Sequence, residues 1–190
     1  MKHGPCILPF TLALGVGSSS YRSEESNDLA FDTPCLEDGK ELWRIARDSK
    51  ALELNSSYAY VLWCRDFAAT SIVARSGGTP CGFVAGYSRP DEPDTVFVWQ
   101  VAVDAGQRGR GVGRNMLHCL VDSRYRFLEA TVCPDNVASA RLFTSFARSC
   151  AAPVKRTPLF GEELFPDAHA PETLYRIGPL TGREDGDAVS

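Results

Sequence analysis

Histidine is scarce in this chain, and its scarcity excludes more chemistry than any abundance does. Only His3, His118 and His169 are present, far apart, and the seven cysteines form an odd set without a Cys-x-x-Cys pair. The spacings that hold structural zinc are therefore missing, as is the even, patterned cysteine framework of a small secreted domain. Cys64, Cys81 and Cys119 sit among apolar residues, where a reduced thiol packs as a small hydrophobe and a reducing cytoplasm is the simplest setting. Charge is also lacking: 20 Lys and Arg against 24 Asp and Glu leave a formal −4, with no basic field for nucleic acid and no obstacle to a small cation. There is no apolar run long enough to span a membrane; the longest, Cys6 to Val16, has the outline of a short export signal. Its basic region is thin and no Ala-x-Ala site follows, so residues 1–28 are expected to be a poorly ordered extension, residues 29–180 one domain and residues 181–190 a polar tail. Neither repeats nor low-complexity blocks interrupt the 190 residues, a length that suits one core.

Two nucleotide motifs are absent as well. Gly109, Gly111 and Gly113 alternate and position 114 is arginine, which breaks the dinucleotide spacing Gly-x-Gly-x-x-Gly. No Gly-Lys-Ser/Thr follows to reach a distal phosphate and hold Mg²⁺, so a mononucleotide loop is excluded too. What is present is a β-rich run, Thr95 to Val103, then Arg108-Gly-Arg-Gly-Val-Gly-Arg114, then apolar Val112, Met116, Cys119 and Leu120 at helical spacing. Strand, glycine-rich turn and helix N-terminus together bring backbone N–H groups and the positive end of a helix dipole to one anion. A second strand and helix follow, Phe127 to Val132 and a helix capped by Asp135 or Asn136 whose Val137, Ala140, Phe143 and Ala147 are expected to face inward.

The string Arg108-x-x-Gly111-x-Gly113 in this setting resembles the pyrophosphate-binding motif of the GNAT superfamily of acetyl-coenzyme A dependent N-acetyltransferases. The resemblance implies that Arg108, Gly109, Arg110, Gly111, Val112, Gly113 and Arg114 hold the pyrophosphate, that Val101 and Val103 offer unpaired backbone groups to the pantetheine arm, and that Asn136 touches it. The chain order agrees with that fold. Leu29 to Asp32 reads as a strand, Glu37 to Ser49 and Asn55 to Phe67 as helices, and Thr70 to Arg75 and Cys81 to Tyr87 as a hairpin around Ser76 to Pro80. The long strand, the two strand-helix units and a last strand at Thr173 to Ile177 complete an α+β domain with a central mixed, mostly antiparallel sheet flanked by helices.

Finer strings narrow the acceptor. Glu53-Leu-Asn-Ser-Ser-Tyr-Ala-Tyr60, Phe97-Val-Trp-Gln-Val-Ala-Val103, Thr131-Val-Cys-Pro-Asp-Asn136 and Arg176-Ile-Gly-Pro179 resemble the diaminobutyrate acetyltransferases of ectoine synthesis. This implies a small-molecule diamino acid acetylated on its 4-amino group, a cytoplasmic homodimer, acetyl-coenzyme A as co-substrate, and no metal, nucleic acid or membrane partner. Acetyl transfer needs an ammonium deprotonated, the nitrogen placed about 3 Å from the thioester carbonyl, and the oxyanion stabilised. Glu172 is the candidate base, drawing the proton through water. Glu53, Asn55, Ser56, Tyr58 and Trp99 are candidate acceptor contacts, with Glu53 standing where the family usually has aspartate. GNAT enzymes commonly protonate the departing thiolate from a tyrosine in the fourth helix, whereas this chain has Phe143 and Phe146 there, leaving water or direct thiolate loss. Cys133 and Cys150 have no histidine close in sequence to activate them as acyl carriers. Another amine as acceptor, or a non-catalytic acetyl-coenzyme A sensor, are the competing readings.

Overall fold

The computed structural model describes residues 29–50, 52–122, 124–167 and 169–180; the expected extension over 1–28 and tail over 181–190 lie outside them. The order is β1 (Leu29–Asp32), α1 (Gly39–Ser49), α2 (Ser57–Asp66), β2 (Ile72–Ser76), β3 (Thr79–Ser88), β4 (Thr95–Val103), α3 (Val112–Val121), β5 (Phe127–Val132), α4 (Val137–Ser149), β6 (Val154–Phe160) and β7 (Glu172–Ile177). The strands form one sheet in the order β1-β2-β3-β4-β5-β7-β6, in which only β4 and β5 run parallel. The expected α+β architecture is thus present, with one strand more than the sequence reading allowed. That strand, β6, carries Lys155, Arg156 and Pro158 on the sheet edge, where polar side chains and a residue without an N–H are tolerated.

Two cores lie on opposite faces of the sheet. Leu42, Ile45 and Ala46 of α1, three residues on one helical face, join Tyr60 and Cys64 of α2 over Val73, Phe83, Ala85 and Ala102. On the other face Val112, Met116, Leu117 and Leu120 of α3 and Phe143, Phe146 and Ala147 of α4 cover Ala74, Val84, Val98 and Leu128. Each Val, Leu, Ile, Met or Phe side chain among them contributes about 1.5–3 kcal/mol by leaving water. Two inward assignments need correction: Val137 is exposed, being in the first turn of α4 before that helix meets the sheet, and Leu117 takes the core place expected for Cys119, which is only half-buried.

One irregularity positions everything that follows. Ala85 pairs with Gln100 but Gly86 pairs with Val98, so Trp99 is an extra residue bulged out of β4. The bulge exchanges faces: Val96 and Val98 pack with α3 and α4, whereas beyond it Val101 and Val103 do so and Ala102 turns to α1. Gly86 is needed opposite the bulge, because a Cβ there would lie 2.8 Å from the Phe97 carbonyl oxygen and 3.0 Å from that of Thr70. At the same level the sheet opens, since β4 pairs with β5 only from Thr95–Phe127 to Val98–Ala130. From Trp99 to Val103 one edge of β4 has no strand beside it among the described residues.

Candidate active site

Two cavities meet at this opening. One, about 580 Å³, runs along Val101 and Val103 to the glycine turn and on to α4. Gly109 and Gly111 both have positive φ (+76° and +78°), a conformation in which a side chain is strained, and Gly111 is the N-cap of α3. The first bond of the helix is Asn115 N–H to Gly111 O at 2.9 Å, so the amides preceding it are the helix's free N-terminal donors. Arg108, Gly109, Gly111, Val112, Gly113 and Arg114 all line this groove. Arg110 does not; its guanidinium donates to Gln107 Oε1 at 2.7 Å. Arg108 Nε donates to the Val103 carbonyl at 3.0 Å, which ties strand to turn and occupies one of the two backbone acceptors expected to meet pantetheine. The sequence reading missed the opposite wall, Ala138, Arg141, Leu142 and Ser145, although their i, i+3, i+4, i+7 spacing marks one face of α4.

The second cavity, about 750 Å³, lies at the other end of the opening and shares Leu52, Val101, Asn136 and Ser139 with the first. Asn136 combines both roles expected of it: its Oδ1 caps α4 by accepting from Ser139 N–H at 3.0 Å, while the residue lines both cavities. Glu53, Asn55, Trp99 and Glu172 line the second cavity; Ser56 and Tyr58 do not. Ser56 is the N-cap of α2, and Tyr58 is 70% exposed on that helix. Trp99 is wall and core at once, its indole stacked on Trp63 with centroids 4.2 Å apart. Gln100 fixes the loop carrying Glu53: it accepts from the buried Tyr60 hydroxyl at 3.0 Å and donates to the Glu53 carbonyl at 3.0 Å.

Sequence reasoning did not assemble the group around Glu172. Because β7 lies beside β5 with Val132 opposite Thr173, the next residues out, Cys133 and Glu172, become neighbours. The Cys133 thiol donates to Glu172 Oε1 at 3.0 Å, and burial, aided by that carboxylate, pushes the thiol up to about 12. It stays protonated, which removes it as an acyl carrier even though His169 is close in space. His169 Nε2 lies 3.8 Å from Glu172 Oε1 and 3.5 Å from Glu53 Oε1, while Nδ1 is 2.6 Å from the Ala170 carbonyl. That carbonyl first, and then the two carboxylates, raise the imidazole above its ordinary value. Phe165 stacks on the ring at 4.1 Å. Glu172 Oε2 is buried with no hydrogen-bond partner among the described residues.

The floor of the cavity is ionic. Glu129, 1% exposed, receives Arg89 Nη1 at 3.1 Å and is also paired with Arg176, which reaches Glu92 at 2.7 Å. Asp91 first and Glu129 second hold the Arg89 guanidinium firmly protonated. Phe143 is buried yet lines the cavity, so no hydroxyl is offered from that position.

A strand edge opened at a bulge, a glycine-rich helix start at one end of it and an acidic pocket at the other define an acyl-coenzyme A dependent N-acyltransferase. The model of the acetyltransferase (GNAT) family matches residues 37–147. The L-2,4-diaminobutyric acid acetyltransferase of Streptomyces coelicolor is 57% identical over 161 residues, covering 81% of this chain and 95% of that protein. Its counterpart in Marinococcus halophilus is 41% identical over 160 residues, covering 82% and 92%. The diaminobutyrate acetyltransferase EctA from Paenibacillus lautus, solved with its substrate L-2,4-diaminobutyric acid and coenzyme A, superposes with a TM-score of 0.78 at 37% identity, covering 83% of this chain and 98% of that one. The chain belongs to the GNAT acetyltransferase family, in its branch of L-2,4-diaminobutyric acid acetyltransferases.

Proposed function

We propose that this protein transfers acetyl from acetyl-coenzyme A to the 4-amino group of L-2,4-diaminobutanoate, giving N4-acetyl-L-2,4-diaminobutanoate, with Glu172 as the base. The observation that carries the reading is the meeting of the two cavities at the opened edge of β4, with a carboxylate oxygen buried and unpaired in the acceptor cavity. The donor groove fits coenzyme A by its own features: positive-φ glycines at the start of α3, free amides, and Arg108, Arg114 and Arg141 for phosphate charge. The edge groups of Val101 and the N–H of Val103, whose carbonyl Arg108 holds, continue the sheet with the pantetheine arm in the place of a strand.

The acceptor is a dication with one carboxylate. Glu53 meets one ammonium, and Asn55, the Trp99 indole N–H and Arg89 are the donors for its carboxylate. Glu172 takes a proton from the second ammonium, directly or through water, and the freed nitrogen attacks the thioester carbonyl. His169, 3.8 Å away, holds the Glu172 carboxylate in place. With Phe143 in α4, the thiolate departs without a tyrosine proton, its own acidity being sufficient. Ser56 and Tyr58 enter only from a second copy of the chain: exposed Leu54, Tyr58 and Val61 mark α2 as the face for a homodimer. We place the enzyme in the cytoplasm, where acetyl-coenzyme A is made, supplying an acetylated diamino acid for ring closure towards ectoine.

Thiol release from acetyl-coenzyme A, followed side by side with L-2,4-diaminobutyrate, ornithine, lysine and spermidine, tests this. Diaminobutyrate should be turned over best. Equal kcat/KM for ornithine would remove the assigned acceptor, and no turnover with any amine despite coenzyme binding would remove catalysis.

A further inference from the structure

Sγ of Cys133, a ring nitrogen of His169 and a carboxylate oxygen of Glu172 all lie within 4.8 Å of one another. Two of the separations are 3.0 Å, from Cys133 to Glu172, and 3.8 Å, from His169 to Glu172. Zinc bonded to sulfur at about 2.3 Å and to nitrogen or oxygen at about 2.0–2.2 Å, with tetrahedral angles, puts its ligand atoms about 3.3–3.7 Å apart. Two of the three pairs therefore stand close to tetrahedral edges before any ion is added, and the third lies within 4.8 Å.

The surroundings prepare each ligand. The Ala170 carbonyl takes the proton of His169 Nδ1 at 2.6 Å, which leaves Nε2, the nitrogen beside Glu172, as the lone-pair donor. Metal-bound imidazoles are held in this way by a carbonyl behind them. Phe165 stacked on the ring fixes its plane. Glu172 Oε2, buried and unpartnered among the described residues, is a further acceptor on the same carboxylate.

We propose that Cys133, His169 and Glu172 form a zinc-capture site through which Zn²⁺ reversibly shuts the acceptor pocket. On binding, the Cys133 S–H bond breaks, as does the Nε2–H bond where His169 is protonated, and these protons go to solvent; an S–Zn bond forms, and Nε2 and the carboxylate each donate an electron pair, with nothing oxidised or reduced. The fourth position opens on the cavity and takes water. A sulfur, nitrogen and oxygen set selects Zn²⁺ and its heavier congener Cd²⁺ over Mg²⁺ and Ca²⁺, which require oxygen ligands. Because none of the three residues lines the coenzyme groove, the ion competes with the amine and not with acetyl-coenzyme A. The inhibitory half rests on Glu172 acting as the base; the binding half does not.

The experiment starts from metal-free full-length protein titrated with Co²⁺. One equivalent should give a near-ultraviolet thiolate-to-cobalt band and visible bands of tetrahedral intensity, both displaced by Zn²⁺ and untouched by Mg²⁺. Cys133→Ser, shown folded by circular dichroism, should lose the charge-transfer band, and cadmium NMR of the unsubstituted protein should report a single sulfur ligand, independently of any variant. In assays Zn²⁺ should raise the apparent KM for diaminobutyrate at least tenfold with KM for acetyl-coenzyme A unchanged. A chelator should restore the rate, and Cys133→Ser, scaled to its own zinc-free rate, should be at least tenfold less sensitive. Absence of the band, or its survival in Cys133→Ser, overturns the site. A site that fills while turnover continues overturns the inhibition and, separately, the role given to Glu172.

Discussion

Glu172→Gln separates chemistry from folding more cleanly than any other change in this pocket. The side chain keeps its length and one oxygen, so the Cys133 thiol, 3.0 Å away, still has an acceptor. The second oxygen is already buried and unpaired, and an amide NH₂ in its place exchanges one unsatisfied group for another. The net change in stability is therefore about 1 kcal/mol or less, well inside the 1–3 kcal/mol that a newly orphaned group costs, or a Tm shift of about 2–4 °C for a chain of this size. Catalysis has no such compensation. An amide cannot accept the ammonium's proton, and loss of a positioned base is worth about 10²–10⁴ in rate, or about 2.7–5.5 kcal/mol at 1.36 kcal/mol per decade. The expected result is kcat lower by two to four decades, KM for acetyl-coenzyme A unchanged because Glu172 does not line that groove, and Tm nearly constant. Glu172→Asp, which withdraws the carboxylate by one methylene, should lose about 10²-fold, the mild end of that range. Steady-state kinetics at saturating amine over a range of pH, with a thermal melt on the same samples, decides it. Retention of kcat within twofold in Glu172→Gln at every pH would refute the reasoning outright.

Other outcomes follow from the same geometry. Gly111→Ala forces a side chain into φ +78°, at about 1–2 kcal/mol, and should raise KM for acetyl-coenzyme A about five- to thirtyfold with little change in kcat at saturation; an unchanged KM would mean the turn is not the phosphate seat. Glu129→Ala removes the buried carboxylate that Arg89 and Arg176 share, leaving them Asp91 and Glu92 over a buried gap, and should cost about 1–3 kcal/mol, a fall in Tm of at least about 2 °C, whereas Glu129→Gln should lose less; equal losses would show that charge is not what matters there. Acetyl-coenzyme A at a hundred times its Kd should add about 2.7 kcal/mol, raising Tm by about 5–11 °C, and coenzyme-insensitive melting would count against the groove. His169 is raised in the fold by the Ala170 carbonyl, Glu53 and Glu172, so its contribution to stability is fully present below the ordinary imidazole value of about 6.5 and is lost as pH rises through the raised value. His169→Gln should flatten that part of a Tm-against-pH curve, and an unaltered curve would show that the ring is not held as described.

What the sequence made legible was local. The glycine turn declares itself because positive φ and free amides need glycine within a few consecutive residues, and the helices because inward residues recur every three or four positions. β6 was hidden for the converse reason: an edge strand buries little, so Lys155, Arg156 and Pro158 break any apolar alternation. The bulge at Trp99 was legible only in part: the family resemblance implies that this strand splays at a bulge, and nothing local places it. Its flanks read as unbroken β-rich sequence, and only the pairing with Gly86 shows that one residue has been added and the faces exchanged. Yet that one residue places the Trp99 indole against Trp63 and turns Val101 and Val103 towards α3.

The acidic site was illegible for a topological reason. Glu172 stood out singly, but Cys133 did not, because it reaches Glu172 only through the insertion of β7 between β5 and β6, and His169, three residues before Glu172, carried no local motif. In chain order β6 comes first and would be the natural neighbour of α4 and β5. By taking the inner place instead, β7 sets Glu172 at the end of β5, on the open side of the β4 edge, where the donor groove ends. The reversal of two strands thus does for the acceptor what the bulge does for the donor: the bulge opens a seam in the sheet, and the swapped strand delivers a carboxylate to it. A hairpin of β6 and β7 in the opposite order would keep every local motif in this chain and leave the seam without a base.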